Sequence, residues 1–188
     1  MFKKTEQVKW RNRTVLIATV VFILVLIALL IYPNPLGLAD NHDYWRLMTP
    51  FGLEYKADES NNFFSFVSLD YLKLDHSRAE VLSSGLVFVA MSYFFSTLLQ
   101  CTTFSLLLLG LVHVLAYGMG YFLLLKHSVI KDWRHLLLFA LISLMLLSDL
   151  LFSSYFNSFY QESAFFICLL LFCSLFQKDK SKFFWWEP

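Results

Sequence analysis

Carboxylates and one arginine occupy unusual places in this chain. Asp40 and Asp43 are three residues apart, and Arg46 follows three residues later, soon after a long apolar run. Charges are costly beside hydrocarbon, so such a cluster indicates chemistry or ion binding. A carboxylate there can take a proton from a hydroxyl nucleophile, or hold a divalent cation against a phosphate. Arg46 has the bidentate fork that suits a diphosphate, or else it stays solvated at the interface.

Two further acids, Asp149 and Glu162, interrupt apolar sequence in the second half of the chain. A lone acid in such a place tends to face a bundle interior, a partner or a water-filled cavity. One interpretation is a carboxylate-lined site at the mouth of the membrane. The other is structural, with Glu162 paired to Arg46 or Lys73 to fix the packing of helices.

A polar aromatic stretch, residues 153–163, follows Asp149 and includes Glu162. Its rings are typical of anchors at the membrane–water interface. Tyr155, Asn157 and Tyr160 are also candidates to contact a sugar.

Upstream, a small-and-polar stripe at helical spacing suits packing on another helix. Its members are Gly110, His113, Tyr117 and Gly120. We interpret His113 as the source of a helix-to-helix hydrogen bond.

The composition is that of an integral membrane protein. Apolar residues make up 58% of the 188 residues and charged residues 15%, against about 25% charged residues in soluble domains. The charges also cluster and leave long runs without any, as expected for membrane spans. The formal net charge of +1 gives no reason to expect a nucleic-acid partner. The three cysteines lie in apolar runs without metal-ligand spacing, so we expect buried, inert thiols at Cys101, Cys168 and Cys173.

The basic residues predict how the chain crosses the membrane. They cluster in residues 1–13, 126–134 and 178–182, and short loops rich in Lys and Arg stay in the cytoplasm. The fold class is therefore an all-α integral membrane protein, a single membrane domain over 1–188 with about four transmembrane helices and both termini cytoplasmic. The predicted spans are 15–32, 103–125, 135–151 and 164–176. The last run is short for a span, so its helix should begin earlier, within the preceding turn.

Two segments then lie at the outer face. Residues 33–80 form a long acidic outer loop. Residues 81–99 are predicted to be an outer juxtamembrane or re-entrant helix, because a second crossing there would place the later basic clusters outside. The first apolar run, Val15–Tyr32, also resembles a signal peptide. Its 18 residues exceed the ~7–15 of a signal-peptide core, which favours an uncleaved anchor.

Two short motifs carry a resemblance to a known family. They are residues 38–44, LADNHDY, after the first span, and residues 155–162, YFNSFYQE, after the third. They resemble bacterial membrane proteins related to the GT-C glycosyltransferases and, more distantly, protein O-mannosyltransferases and lipid A aminoarabinose transferases. The resemblance implies a first span, a long outer loop with an essential acid and polyprenyl-phosphate-linked sugar donors. GT-C enzymes have many more spans, so it covers an N-terminal part of such an enzyme.

The leading hypothesis is therefore an N-terminal module of a GT-C-type glycosyltransferase in the bacterial inner membrane. Asp43 or Asp40 would act as the base, Arg46 would hold the phosphate, and Glu162 and Asp149 would shape the sugar site. The expected partners are membrane lipid, a lipid-linked sugar and further spans on a separate chain; a metal cofactor stays unassigned, with a divalent cation as one candidate. The alternatives are a non-catalytic membrane scaffold or assembly subunit, and an inactive truncated fragment.

Overall fold

The structure is a computed structural model that describes residues 2–32, 34–41, 43–56, 68–75 and 82–183. The chain divides into two compact units. The basic unit, so named here for its clusters of Lys and Arg, comprises residues 1–26, 115–149 and 166–188. The acidic unit, which holds Asp40, Asp43 and Glu162, comprises residues 27–114 and 150–165.

The described part of the chain is mostly helical. Its helices are α1 (Phe2–Ile31), α2 (Trp45–Met48), α3 (Gly85–Leu98), α4 (Leu106–His127), α5 (Trp133–Leu147), α6 (Leu150–Ser154) and α7 (Glu162–Phe183). Single 3-10 turns follow α2 and α6, at Thr49–Phe51 and Tyr155–Asn157. Its strands are β1 (Leu53–Glu54), β2 (Asp70–Lys73) and β3 (Thr103–Ser105).

Two helices in the described ranges, α1 from Thr5 and α4, are long and apolar enough to cross a membrane. A third candidate arises if α5 and α6 are taken together as one broken span. Helix α3 and the apolar part of α7, Glu162–Gln177, are shorter. The helix α7 does begin before the apolar run 164–176, as expected. The number of four spans, and the placement of 81–99 at the outer face, stay predictions.

The all-α prediction is wrong in one respect, because the acidic unit contains a three-stranded antiparallel sheet in the order β1-β2-β3. Leu53 of β1 lies opposite Lys73, and Tyr71 of β2 lies opposite Phe104. The predicted span 103–125 therefore opens with a strand, and α4 begins after it. Strands of two to four residues carry too little alternation to be recognised in a sequence.

Helix α1 shows why the chain needs an apolar solvent. Val15, Phe22 and Leu26 are buried along one stripe, whereas Leu16 and Leu24 on other faces are about 60% exposed. Exposed aliphatic side chains over such a length are the surface that hydrocarbon covers.

The expectation of buried thiols is wrong, because Cys101, Cys168 and Cys173 are all exposed. An apolar run in a membrane protein does not imply a place in the protein interior.

The small-and-polar stripe of α4 is a packing face in both units, as predicted. In the basic unit, the ring of Tyr117 lies 5.6 Å from that of Phe22 in α1. A side chain at Gly120 would lie 3.1 Å from Leu170 of α7. The contacts of Gly110 and His113, in the acidic unit, are described with the candidate site.

Arg11 closes the carboxyl end of α4 within the basic unit. Its Nη2 donates to the carbonyls of Lys126 and Ser128 at 2.9 and 3.1 Å, and its Nε donates to that of Ile130 at 3.1 Å. The last carbonyls of a helix have no partner inside the helix, and they carry partial negative charge. A guanidinium is therefore well suited to this position, and it ties the start of α1 to the turn after α4.

We expect Arg11→Gln to lower the free energy of unfolding by about 2–3 kcal/mol, because hydrogen bonds from a charged donor are among the stronger ones. Lys9→Gln is the matched control, since Lys9 is an exposed cation on the same helix. It should change stability by less than about 0.5 kcal/mol. Titration with SDS in mixed micelles measures both. Equal stability of the two variants would show that the cap contributes nothing.

Candidate functional site

Tyr160 joins the two motif segments directly. Its hydroxyl donates to the carbonyl of Ala39 at 2.8 Å and accepts from the backbone N–H of Asn41 at 3.2 Å. Its ring packs edge-on against Tyr44, with centroids 5.0 Å apart. The stretch that carries Asp40 and Asp43 is thus held by the stretch that carries Glu162. His42, between the two acids, lies outside the described residues.

Below this contact, Phe159 is the centre of an aromatic cluster. Its ring centroid lies 5.0 Å from that of Tyr71, 5.4 Å from Tyr44 and 5.7 Å from Phe104. All four rings are at most 2% exposed. The sheet, the segment before α2 and the last loop are therefore one packed body within the acidic unit.

Asp40 is engaged by the protein through both carboxylate oxygens. Oδ1 accepts from the backbone N–H of Tyr44 at 3.2 Å, and Oδ2 accepts from the hydroxyl of Tyr55 at 2.8 Å. Burial, followed by the effects of Tyr71 and Asp40, raises the pKa of Tyr55, so that hydroxyl keeps the proton it donates. This arrangement suits Asp40 to fix the loop, and it leaves Asp43 as the better candidate for a base.

Asp43 and Arg46 form an accessible ion pair at the start of α2. Oδ1 of Asp43 lies 3.3 Å from Nη2 of Arg46, and the two side chains are 42% and 46% exposed. An exposed pair of this kind contributes at most about 1 kcal/mol. A phosphate group can therefore replace Asp43 as the partner of Arg46 at little cost.

Three carboxylates converge on the hydroxyl of Tyr160. Burial raises the pKa of Tyr160, and the negative charges of Asp40, Asp43 and Glu162 each raise it further, while the hydrogen bond from Asn41 lowers it. The three acids, predicted from segments far apart in sequence, thus lie within electrostatic range of one phenol. Asp149 is exposed in the break between α5 and α6, and it is not among the charges that raise the pKa of Tyr160. Its place at the sugar site stays a prediction.

Glu162 begins α7, where a negative charge is favoured by the helix dipole. Its side chain is exposed, and within the described ranges it makes no hydrogen bond or ion pair. The structural alternative, a pair with Arg46 or Lys73, is not found there. Arg46 pairs with Asp43, and Nζ of Lys73 donates to the carbonyl of Cys101 at 3.0 Å.

Asn157, a predicted sugar contact, has a structural place instead. It is 1% exposed, and its Nδ2 donates to the carbonyls of Leu30 and Leu36 at 3.1 and 2.8 Å. These carbonyls end α1 and open the following loop, so the amide fixes the exit of the chain from the first helix. Tyr155 is half-buried, with its ring centroid 5.9 Å from that of Tyr160, and it stays a candidate contact.

His113 makes the interhelical hydrogen bonds that its place in the stripe indicated. Its Nδ1 lies 2.9 Å from the carbonyl of Phe156, so that nitrogen carries the proton. Its Nε2 lies 3.3 Å from Oγ of Ser163 in α7. The interpretation of His113 as a packing residue is confirmed.

An apolar groove of about 310 Å³ lies beside Asn157 in the acidic unit. Its lining is Ile27, Leu30, Ile31, Leu107, Leu108, Leu111, Val114 and Asn157. No acid lines it, so it is not a cavity shared by Asp43 and Glu162. Across the described ranges, no group of three or more His, Cys, Asp or Glu side chains is placed to hold a metal ion.

Almost the whole chain matches one family model, that of the YfdI N-terminal transmembrane domain, over residues 2–182. The chain belongs to this family. It is therefore an integral membrane protein, as its apolar helices also indicate. No curated protein and no solved structure matches it.

The family match covers both motif segments, and with them every contact of Tyr160 described above. It identifies a transmembrane domain and assigns no chemistry to the acids. Sequence reasoning missed Tyr55, the partner of Asp40. No local signal marks that residue, because its role depends on a fold that brings the end of β1 beside the loop.

Proposed function

We propose that the chain is the N-terminal module of a GT-C-type glycosyltransferase that uses a sugar linked to polyprenyl phosphate. The observation that carries the proposal is the convergence of Asp40, Asp43 and Glu162 around Tyr160, with Arg46 beside Asp43. The motifs that resemble the GT-C relatives are the same segments that Tyr160 joins. The site would face the outer side of a bacterial inner membrane, with both termini in the cytoplasm.

The proposed reaction is an inverting transfer, a single displacement at the anomeric carbon of the sugar. The oxygen of an acceptor hydroxyl attacks that carbon, the bond from carbon to phosphate oxygen breaks, and polyprenyl phosphate leaves. Asp43 accepts the acceptor proton, and Arg46 turns from Asp43 to the phosphate charge that develops. When Arg46 leaves Asp43, the carboxylate of Asp43 loses its ion-pair partner and is available to accept the proton.

The remaining groups have supporting roles in this proposal. Asp40 holds the loop, and Glu162 and Tyr155 contact sugar hydroxyls. The apolar groove suits an isoprenoid chain, because its lining is aliphatic apart from Asn157. Further spans on a separate chain would supply the rest of the enzyme. The rival function is a non-catalytic scaffold, which the internal engagement of Asp40 and Asn157 favours.

Asp43→Asn tests the proposal, with Asp70→Asn as its matched control. Asp70 also forms a part-exposed pair with a base, Lys56, at 3.4 Å in the same unit. Both variants lose one weak ion pair, so their stabilities should be similar. Glycan transfer, measured by complementing a deletion strain, should fall at least about 100-fold for Asp43→Asn and stay near wild type for Asp70→Asn. Normal glycan from a well-expressed Asp43→Asn protein would favour the scaffold.

A further inference from the structure

A second surface, in the basic unit, has a role that the proposed transfer does not explain. Arg13 lies over the ring of Trp10, with its Cζ 5.3 Å from the ring centroid. Arg134 lies over the ring of Trp133 at 5.6 Å. The two indole rings are themselves 6.0 Å apart. We call these four residues the Arg–Trp surface.

The Arg–Trp surface is assembled by a defined set of contacts. Arg11 binds the carbonyls of residues 126, 128 and 130, and so fixes the turn after α4 to the first turns of α1. Trp10 lies in this part of α1, and Trp133 is the first residue of α5, directly after that turn. A partner would therefore meet two guanidinium groups that are already in place, and it would lose little affinity to their ordering.

The charge around this surface is strongly positive. Residues 5–13 and 126–135 contain six Lys and Arg against two acids, Glu6 and Asp132. Asp132 is already engaged, since it accepts from the backbone N–H of Arg134 at 3.0 Å and lies 3.2 Å from Nδ1 of His135. Arg13 and Arg134 are exposed, and within the described ranges their guanidinium groups donate no hydrogen bond.

We propose that the Arg–Trp surface binds the phosphodiester headgroup of an anionic membrane phospholipid. A guanidinium stacked on an indole keeps its in-plane N–H groups for a phosphate. Tryptophan prefers the level of the headgroups. The surface stands at the start of one candidate span, which begins at Thr5, and near the end of another, which ends at His127. These features fit a lipid better than an acidic soluble protein.

The test uses the full chain, purified in a neutral detergent, with lipid adducts counted by native mass spectrometry. Phosphatidylglycerol should bind wild type, and phosphatidylcholine should bind much more weakly. The double variant Arg13→Gln/Arg134→Gln should lose about 25-fold in phosphatidylglycerol affinity, because each cation contributes roughly fivefold. Lys56→Gln/Lys73→Gln is the matched control, because it removes the same charge from two cations of the acidic unit that have no role in the proposed transfer, and it should bind as wild type does.

Several outcomes would overturn this proposal. Wild-type affinity in the Arg13→Gln/Arg134→Gln variant would do so, and so would an equal loss in the control, which would mean a response to net charge alone. Equal binding of inorganic phosphate would indicate an anion site rather than a lipid site. If the double variant does not fold, Arg13→Lys/Arg134→Lys decides. It keeps the charge but loses the planar fork, so it should bind severalfold more weakly, and unchanged affinity would exclude the guanidinium contacts.

Discussion

Asn157→Ala is expected to lower the free energy of unfolding by about 2–4 kcal/mol. The amide of Asn157 is the donor to two backbone carbonyls, those of Leu30 and Leu36, and it is almost fully buried. The carbonyl of Leu30 keeps a second donor, the backbone N–H of Leu36 at 3.0 Å, so it loses one of two hydrogen bonds. The carbonyl of Leu36 loses the amide that holds it, at about 1–3 kcal/mol. The loss should appear in SDS titration as an earlier unfolding transition.

Two comparisons separate the hydrogen bonds from the lost volume. Asn157→Asp keeps the shape of the side chain and removes both donors, so it should be at least as destabilised as Asn157→Ala. Asn12→Ala changes an exposed asparagine on α1 and should be near neutral. A stable Asn157→Asp protein would mean that the two carbonyls find other donors and that the amide is not what fixes the end of α1.

Gly110→Ala should be nearly as damaging, with a loss of about 3 kcal/mol. A β-carbon at this position would overlap Oδ1 of Asn157 and lie 3.0 Å from its Cγ. The side chain of Asn157 cannot move away without breaking its two hydrogen bonds. Overpacking of this kind typically costs about 1–3 kcal/mol, and the fixed neighbour places this case at the upper end.

Gly120→Ala is the matched control on the same helix. Its β-carbon would meet the far end of Leu170 at 3.1 Å, and that aliphatic side chain can shift by a few tenths of an ångström. Both replacements gain the same helix propensity. The difference between their free energies of unfolding therefore measures the steric overlap with Asn157. The double variant Gly110→Ala/Asn157→Ala should lose less than the sum of the single losses, because the second change removes the collision. Full additivity would contradict this contact.

The long apolar helices could be predicted from the sequence, because a run of apolar residues is enough to identify them. The run 15–32 lies within α1 apart from its last residue, and 103–125 overlaps α4. The helices extend beyond the apolar runs where the flanking residues are good helix formers without Pro or Gly, as in residues 2–14. The ends of α1 illustrate the contrast: it continues into charged sequence at its start, and it stops before Pro33, where the proline disfavours helix.

The sheet and the detailed arrangement of the site could not be predicted from the sequence. β2 and β3 are separated by about thirty residues that include a helix, and no local pattern announces such a pairing. The sequence marked Asp40, Asp43 and Glu162 as unusual because each stands beside apolar runs. It did not distinguish the roles of Asp40 and Asp43, since that difference depends on Tyr55 and Arg46 as partners. The sequence also contains no sign that Asn157 and Tyr160 have different roles. Asn157 binds carbonyls at the end of α1, and Tyr160 joins the two motif segments.

The hydrogen bonds of Tyr160 also determine the order in which the candidate site can assemble during synthesis. They join residues 119 and 121 positions apart, so the loop that carries the acids leaves the ribosome long before the residue that holds it. Until Tyr160 has been synthesised, α1 is present but Ala39 and Asn41 lack these two hydrogen bonds. A chain halted before Tyr160 is made would contain the residues of α1 to α6 and lack an assembled acidic site. The convergence of the three carboxylates therefore depends on a loop that is synthesised and inserted more than a hundred residues after Asp40 and Asp43.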